Sequence, residues 1–209
     1  TLVVQNIVDA TGTPVMLGES MEFGYSDVWG FDANADGFTY ADDTFNNTTN
    51  PNQAEGTHDP AGGFAGGGLR VYLGPGAVNG GMSGGWSRHF VAPIDTTANV
   101  SLRYRMVMAP GYEPEEHGQV ILEIDGVRYG GDVSDSLVHS DGSNPTTDTG
   151  WLQASFEIPV TAGLHTLTIG AYNNQATAGD EATTVFFDDV SITVAGAIPP
   201  MANIINVAP

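Results

Sequence analysis

Strict alternation of apolar and polar residues is the feature that most constrains this chain. In "NVSLRYRMVM", residues 99–108, Val100, Leu102, Tyr104, Met106 and Met108 share one face, while Ser101, Arg103 and Arg105 share the other. "QVILEIDG", "GLHTLTIGAY" and "TTVFFDDVSITV" repeat the pattern. Successive side chains of a strand point to opposite sides, so each run predicts a β-strand with one buried face. Strands are expected at 20–25, 37–41, 67–73, 84–92, 99–108, 118–125, 151–158, 163–172 and 183–194. No run carries the 3.6-residue period of an amphipathic helix. All-β sandwiches reach the present length of 209 residues as single domains. The 28 glycines are about twice the usual ~7% share and suit many turns rather than long helices. Segments 44–66 and 130–150 are expected to be long polar loops; loops of that length are usually functional or ordered by a ligand.

Charge narrows the function. There are 25 acidic and 5 basic residues, a formal net charge of −20. All five basic residues are arginines: Arg70, Arg88, Arg103, Arg105 and Arg128. Such a field repels phosphate backbones and anionic membranes, so neither a nucleic acid nor membrane insertion is expected; it attracts divalent cations and keeps a chain soluble. The absence of lysine excludes a Walker-type phosphate loop and Schiff-base chemistry, despite the glycine-rich "AGGFAGGGLR". The absence of cysteine excludes disulfides, a thiol nucleophile and thiolate zinc. Thr1 stands first and no run is long and apolar enough to span a membrane, which predicts a mature, exported chain, extracellular or at the cell surface. Asn46, Asn47 and Asn99 lie in N-x-S/T sequons, which matter only in a eukaryotic source.

Catalysis finds little support. "GMSGG", residues 81–85, fits the pattern of a nucleophile elbow around Ser83, but it leads into a strand where a helix is needed. Glu115 and Glu116 sit in a charged turn with no second carboxylate to place opposite them. The five histidines, His58, His89, His117, His139 and His165, show no metal-ligand spacing. The chain is therefore expected not to be an enzyme.

"FDANADGF", residues 31–38, is the sharpest short motif. Asp32, Asn34 and Asp36 occupy positions 1, 3 and 5 of a calcium loop, Gly37 the turn at 6, and Phe38 offers a carbonyl at 7. Asp43 stands at position 12 in place of a bidentate Glu, and no helix flanks the loop, so it is not an EF-hand. Two readings stay open: a cation wrapped within a β-scaffold, or a turn whose Asp, Asn and Gly serve conformation alone. Asp188 raises a related question. It falls in series with Phe186, Val190, Ile192 and Val194, and a carboxylate on a core-facing register is costly unless paired or metal-bound.

The ordered set "EFG…DGF", "SLRYRM…GQVILEIDG", "GWLQASFEIPVTAGLHTLTIGAYN" and "FDDVSI" resembles bacterial extracellular jelly-roll modules of the galactose-binding-like, carbohydrate-binding-module type, over roughly residues 20–194. The resemblance implies an antiparallel β-sandwich of jelly-roll type. It also implies a structural calcium ion between an N-terminal acidic residue and the Asp of the last strand, here Glu22 and Asp188.

A sugar site needs aromatic platforms beside polar groups. The candidates are Arg70 with Tyr72, Trp86 with Arg88, and Trp29, Tyr112 or Trp151 near loop tips; Arg70 and Tyr72 share the face opposite Leu69, Val71 and Leu73. Arg103 and Arg105 have the alternative of pairing with Glu123 or Asp125 across neighbouring strands. The two ends, residues 1–18 and 196–209, flank a domain spanning 19–195 and carry only Asp9 as a charge. Apolar strand-like arms need partners. They complete the domain's own sheets, link to a further domain, or insert into a neighbouring copy of the chain. Together these readings predict a secreted, calcium-stabilised structural subunit joined to its copies through terminal strands, or else a carbohydrate-binding module or lectin-like adhesin with a polysaccharide partner.

Overall fold

The computed structural model describes residues 24–74, 76–143 and 147–196. They form an antiparallel β-sandwich of jelly-roll type. The strands are β1 (Tyr25–Trp29), β2 (Thr39–Asp42), β3 (Ala54–Asp59), β4 (Gly68–Leu73), β5 (Met82–Ala92) and β6 (Thr96–Met108). They continue with β7 (His117–Ile124), β8 (Val127–Arg128), β9 (Val138–Asp141), β10 (Leu152–Val160), β11 (Gly163–Asn173) and β12 (Thr183–Val194). The first sheet runs β10-β6-β12-β4-β3, with β1 also on β12; the second runs β2-β5-β11-β7-β8, with β9 also on β7.

Alternation builds both faces. Val100, Leu102, Tyr104 and Met106 of β6 meet Leu122 of β7 and Leu167 and Ile169 of β11 in one core between the sheets. The expected strands appear with ends shifted by a few residues. The first lies at Tyr25–Trp29 rather than 20–25, of which 20–23 fall outside the described residues. Its pattern is inverted: Val28 is 72% exposed, while Asp27 accepts a hydrogen bond from the Tyr25 hydroxyl at 2.5 Å. The expected loops 44–66 and 130–150 contain three-residue 3-10 turns and the strands β3 and β9, which alternation did not reveal.

Parity misled at β12. Val185 and Phe187 face the core, and so do Val190, Ile192 and Val194. A bulge between Asp188 and Ser191 shifts the register, with Asp189 at φ +48°. The extra residue reverses the phase. Phe186 and Asp188 therefore share the outer series, opposite to the core-facing register expected for Asp188.

His165 on β11 closes one end of the core, stacked on Phe90 at 5.3 Å. Its Nδ1 lies 2.6 Å from Asp125 Oδ2 and its Nε2 2.8 Å from the Thr161 carbonyl oxygen. Both partners are acceptors, so both ring nitrogens carry protons. Burial lowers the His165 pKa, but the bonds to Asp125 and Thr161 outweigh it and hold the imidazolium above its ordinary range. Burial also acts on Asp125, upward, and the bonds from His165 and the Thr166 N–H hold that carboxyl below its usual value. The His165 contribution is complete below a pH of about 6.5 and is lost as pH rises through the raised value; the Asp125 contribution is present above about 3.9 and is lost as pH falls. Asp125 is 47% exposed, so screening limits the effect to about 1 kcal/mol or less. His165→Phe should flatten the fall in melting temperature between pH 6 and 8, read by circular dichroism. A variant curve parallel to the parent's would rule this out.

Candidate functional site

The outer face of the first sheet gathers the side chains that alternation turned away from the core. Across β10, β6 and β12 one row is Ser155–Ser101–Ser191, and the next is Gln153–Arg103–Asp188. A third row is Arg105–Phe186–Arg70–Thr57, and a fourth is Val107–Thr184–Tyr72–Glu55. Three of the chain's five arginines thus stand on one face. The Arg103 guanidinium lies 3.9 Å from the centroid of the Phe64 ring and donates from Nε to Asp189 Oδ2 at 3.0 Å. Phe64, 49% exposed, meets the edge of Trp151 at 6.1 Å. Arg105 holds Asp148 through two bonds of 2.9 and 2.6 Å. With the Gly150 N–H, they keep the Asp148 carboxyl down at about 2. Arg70 lies over the Tyr72 ring at 5.0 Å and makes no ion pair among the described residues.

Beside the Phe64–Arg103 stack is a shallow depression of about 330 Å³, lined by Asn99, Ser101, Ser155, Glu157, Ser191 and Thr193. The Ser101 and Ser191 hydroxyls bond each other at 2.8 Å. An apolar ring platform next to hydroxyl, amide and carboxylate groups matches the two surfaces of a sugar: a C–H face to stack and a rim of hydroxyls to bond.

The sugar candidates read from sequence divide here. Arg70 and Tyr72 stand on this face. Trp86 does not: it is core, 6% exposed, and its indole N–H donates to the Arg70 carbonyl oxygen at 3.2 Å. Arg88 lies under the 31–38 loop. It donates to the Asp36 carbonyl oxygen, covers the Trp29 ring at 4.8 Å and approaches Asp27 at 3.8 Å. Arg103 and Arg105 do not pair with Glu123 or Asp125, which lie in or beside the other sheet; Glu123 bonds Arg128 at 3.1 Å. Of the loop-tip aromatics, Trp151 reaches this face, while Trp29 and Tyr112 are buried; Phe64 was missed because a loop distant in sequence brings it to Trp151.

The metal candidates divide as well. Asn34 Oδ1 accepts the Asp36 N–H at 2.7 Å, and Asp36 Oδ2 accepts the Phe31 N–H at 3.0 Å. These bonds close the loop on its own backbone, with Phe31, Asp36 and Gly37 at positive φ. Asp43 is remote. Its N–H bonds Ser83, five residues along β5 from Arg88, which holds Asp36; at ~3.3 Å per residue that is roughly 16 Å. Its carboxylate serves the Asn50 N–H at 2.9 Å. It cannot be the twelfth position of one loop site.

Asp188 is fully buried. Its oxygens accept the Ala65 N–H at 3.1 Å and the Asp189 N–H at 2.7 Å. Burial pushes its carboxyl above the usual value, against these bonds. The glycine-rich loop lies between it and Asp32: a Cβ on Gly63 would stand 2.8 Å from Asp188 Oδ2, and one on Gly66 would collide with Asp32 Oδ1. Among the described residues no three acidic side chains converge here, and Glu22 lies outside those residues. Three carboxylates that could hold a metal ion do converge elsewhere, at Glu113, Glu116 and Glu181. The sequence reading met Glu116 only as half of an implausible catalytic pair. Ser83 is buried within β5, bonded to Thr48 Oγ1 at 2.8 Å, with no helix after it.

No protein-family model and no curated protein matches the sequence. Several solved structures are similar to the chain at low identity. One, from a study of promiscuous specificity in carbohydrate-binding modules of the β-sandwich superfamily, is 16% identical with a TM-score of 0.45; 78% of this chain spans 60% of that one. A carbohydrate-binding module in complex with β-1,4-galactotriose is 12% identical, with a TM-score of 0.41 over 78% of this chain and 92% of that one. The K1 cleaved adhesin domain of Lys-gingipain from Porphyromonas gingivalis W83 is 14% identical, with a TM-score of 0.42 over 83% and 99%. Among the described residues no helix is long and apolar enough to cross a membrane.

Proposed function

We propose that the chain is a non-catalytic, extracellular module that binds a polysaccharide across the outer face of its first sheet. The exposed Phe64 ring carries the reading. It is stacked on Arg103, braced by Trp151 and set beside a hydroxyl-lined depression. Stacking on Arg103 spends little rotamer freedom at the moment of binding, because the platform is already assembled. The acidic, lysine-free composition suits an extracellular setting. The structural-subunit reading depends on the apolar arms 1–18 and 196–209, of which only Gly196 is described; no observation on the described sheets favours it.

A glycan array of neutral and acidic polysaccharides tests the proposal, followed by calorimetry on any hit. Phe64→Ala and Trp151→Ala should each weaken binding about tenfold, near the worth of one aromatic contact. Leu164→Ala, at a position 66% exposed on the opposite sheet, should change nothing. An empty array, or hits untouched by the two aromatic variants, would overturn it.

A further inference from the structure

At one end of the sandwich, the segment joining β6 to β7 meets the segment joining β11 to β12. Glu113 and Glu116 come from the first and Glu181 from the second. Each places a carboxylate oxygen within 4.8 Å of the other two. Glu116 and Glu181 are fully buried, while Glu113 is exposed. Glu113 and Glu116 bond each other through their carboxyl groups, and the other partners of the three are backbone groups and one hydroxyl. Glu116 accepts the Glu113 N–H at 2.9 Å and the Thr177 N–H at 3.0 Å. Glu181 Oε2 accepts the Ala178 N–H at 2.7 Å, and Glu113 accepts the Thr177 hydroxyl at 3.2 Å. No arginine or histidine pairs with any of them among the described residues.

Acidic side chains that merely share a surface keep their hydration. Glu181 does not: its Oε1 is sealed from solvent and meets no donor. A buried acceptor without a partner forfeits its hydration and gains nothing back, and a buried carboxylate needs a counter-charge. The Asn173 side-chain oxygen, also buried and without a donor, lies in the same region through the Asn173 bond to the Tyr112 hydroxyl at 2.6 Å. We propose that Glu113, Glu116 and Glu181 bind a calcium ion that clamps the 109–116 segment to the 174–182 segment. The donor set is entirely hard oxygen, which selects alkaline-earth ions over softer metals. Calcium takes about six to eight oxygens in flexible geometry, which suits carboxylates brought together from two loops, whereas magnesium demands near-ideal octahedral geometry and gives up its waters reluctantly. The exposed Glu113 leaves an entry path and open positions for water.

The test uses the full chain, stripped with chelator and then titrated with calcium or magnesium, read by calorimetry and by melting temperature. Calcium should bind with about one ion lost on Glu181→Gln, and at least tenfold more weakly in Glu113→Gln; magnesium should bind far more weakly. Glu113 is exposed, so its variant keeps the test decisive if Glu181→Gln does not fold. Asp188→Asn should retain the ion. The proposal is overturned if the parent shows no calcium heat or melting shift. Equal calcium binding in Glu113→Gln and the parent would overturn it too, as would loss of the ion in Asp188→Asn alone. Magnesium binding as tight as calcium would overturn the identity of the ion.

Discussion

Phe187→Ala is expected to lower stability by about 3–5 kcal/mol, which moves the melting temperature down by roughly 6–20 °C. Phe187 is fully buried and stands opposite Leu69 of β4 and Tyr104 of β6. Asp188 follows it on the outer face, and the bulge beyond Asp188 turns Val190 back into the core. Loss of Phe187 leaves a cavity the size of a phenyl ring in a sheet whose central strand is fixed on both sides, so collapse around the gap is limited. Phe187→Leu should cost far less, because most of the volume remains. Chemical denaturation of parent and both variants supplies the numbers. A loss under 1 kcal/mol for the alanine variant would mean that the core does not depend on this ring.

Asp188→Ala should come next in size. It removes the acceptor of two backbone N–H groups, those of Ala65 and Asp189, at about 1–3 kcal/mol for each donor left buried. The loss should depend on pH in a particular sense. The folded-state pKa of Asp188 is raised, so its contribution is full below a pH of about 3.9 and declines as pH rises through the folded value. The gap between parent and variant should therefore narrow from acid towards neutral pH. A gap that widens with pH would mean that a positive partner stabilises the carboxylate, and calcium-dependent widening would place an ion beside it.

Most of the architecture was legible because alternation survives wherever one face of a strand is buried. β6, β7, β11 and β12 show it plainly. β3 does not, since "AEGTHD" has no large apolar residue and its strand exists by pairing with β4 at the sheet's edge. The bulge at Asp188–Asp189 was invisible because sequence alone does not mark where a strand gains a residue. Of the candidate site, Arg70 and Tyr72 were legible through the same parity. Trp151 was legible only as a loop-tip aromatic and Phe64 not at all, because their contact depends on two loops folding over β6. The grouping of Glu113 and Glu116 with Glu181 likewise joins loops more than sixty residues apart. Arg88 shows the opposite error. Its partners are fixed by the turn at Phe31–Phe38, and no local pattern separates an arginine under a loop from one on a surface.

The position of β12 sets a timetable for folding. One half of this strand is bordered by β6 and β4, and the other by β6 and β1. The last strand described is thus the axle of the first sheet, and it pairs directly with the first strand described. During synthesis β4 and β6 emerge without their common neighbour and wait for more than seventy further residues. The first sheet cannot close, and its aromatic face cannot exist, until β12 is free to pair. Such late, long-range closure is slow and leaves strand edges exposed in the meantime. A nascent chain halted before Thr183 should therefore be digested by protease across the whole of β3 to β6.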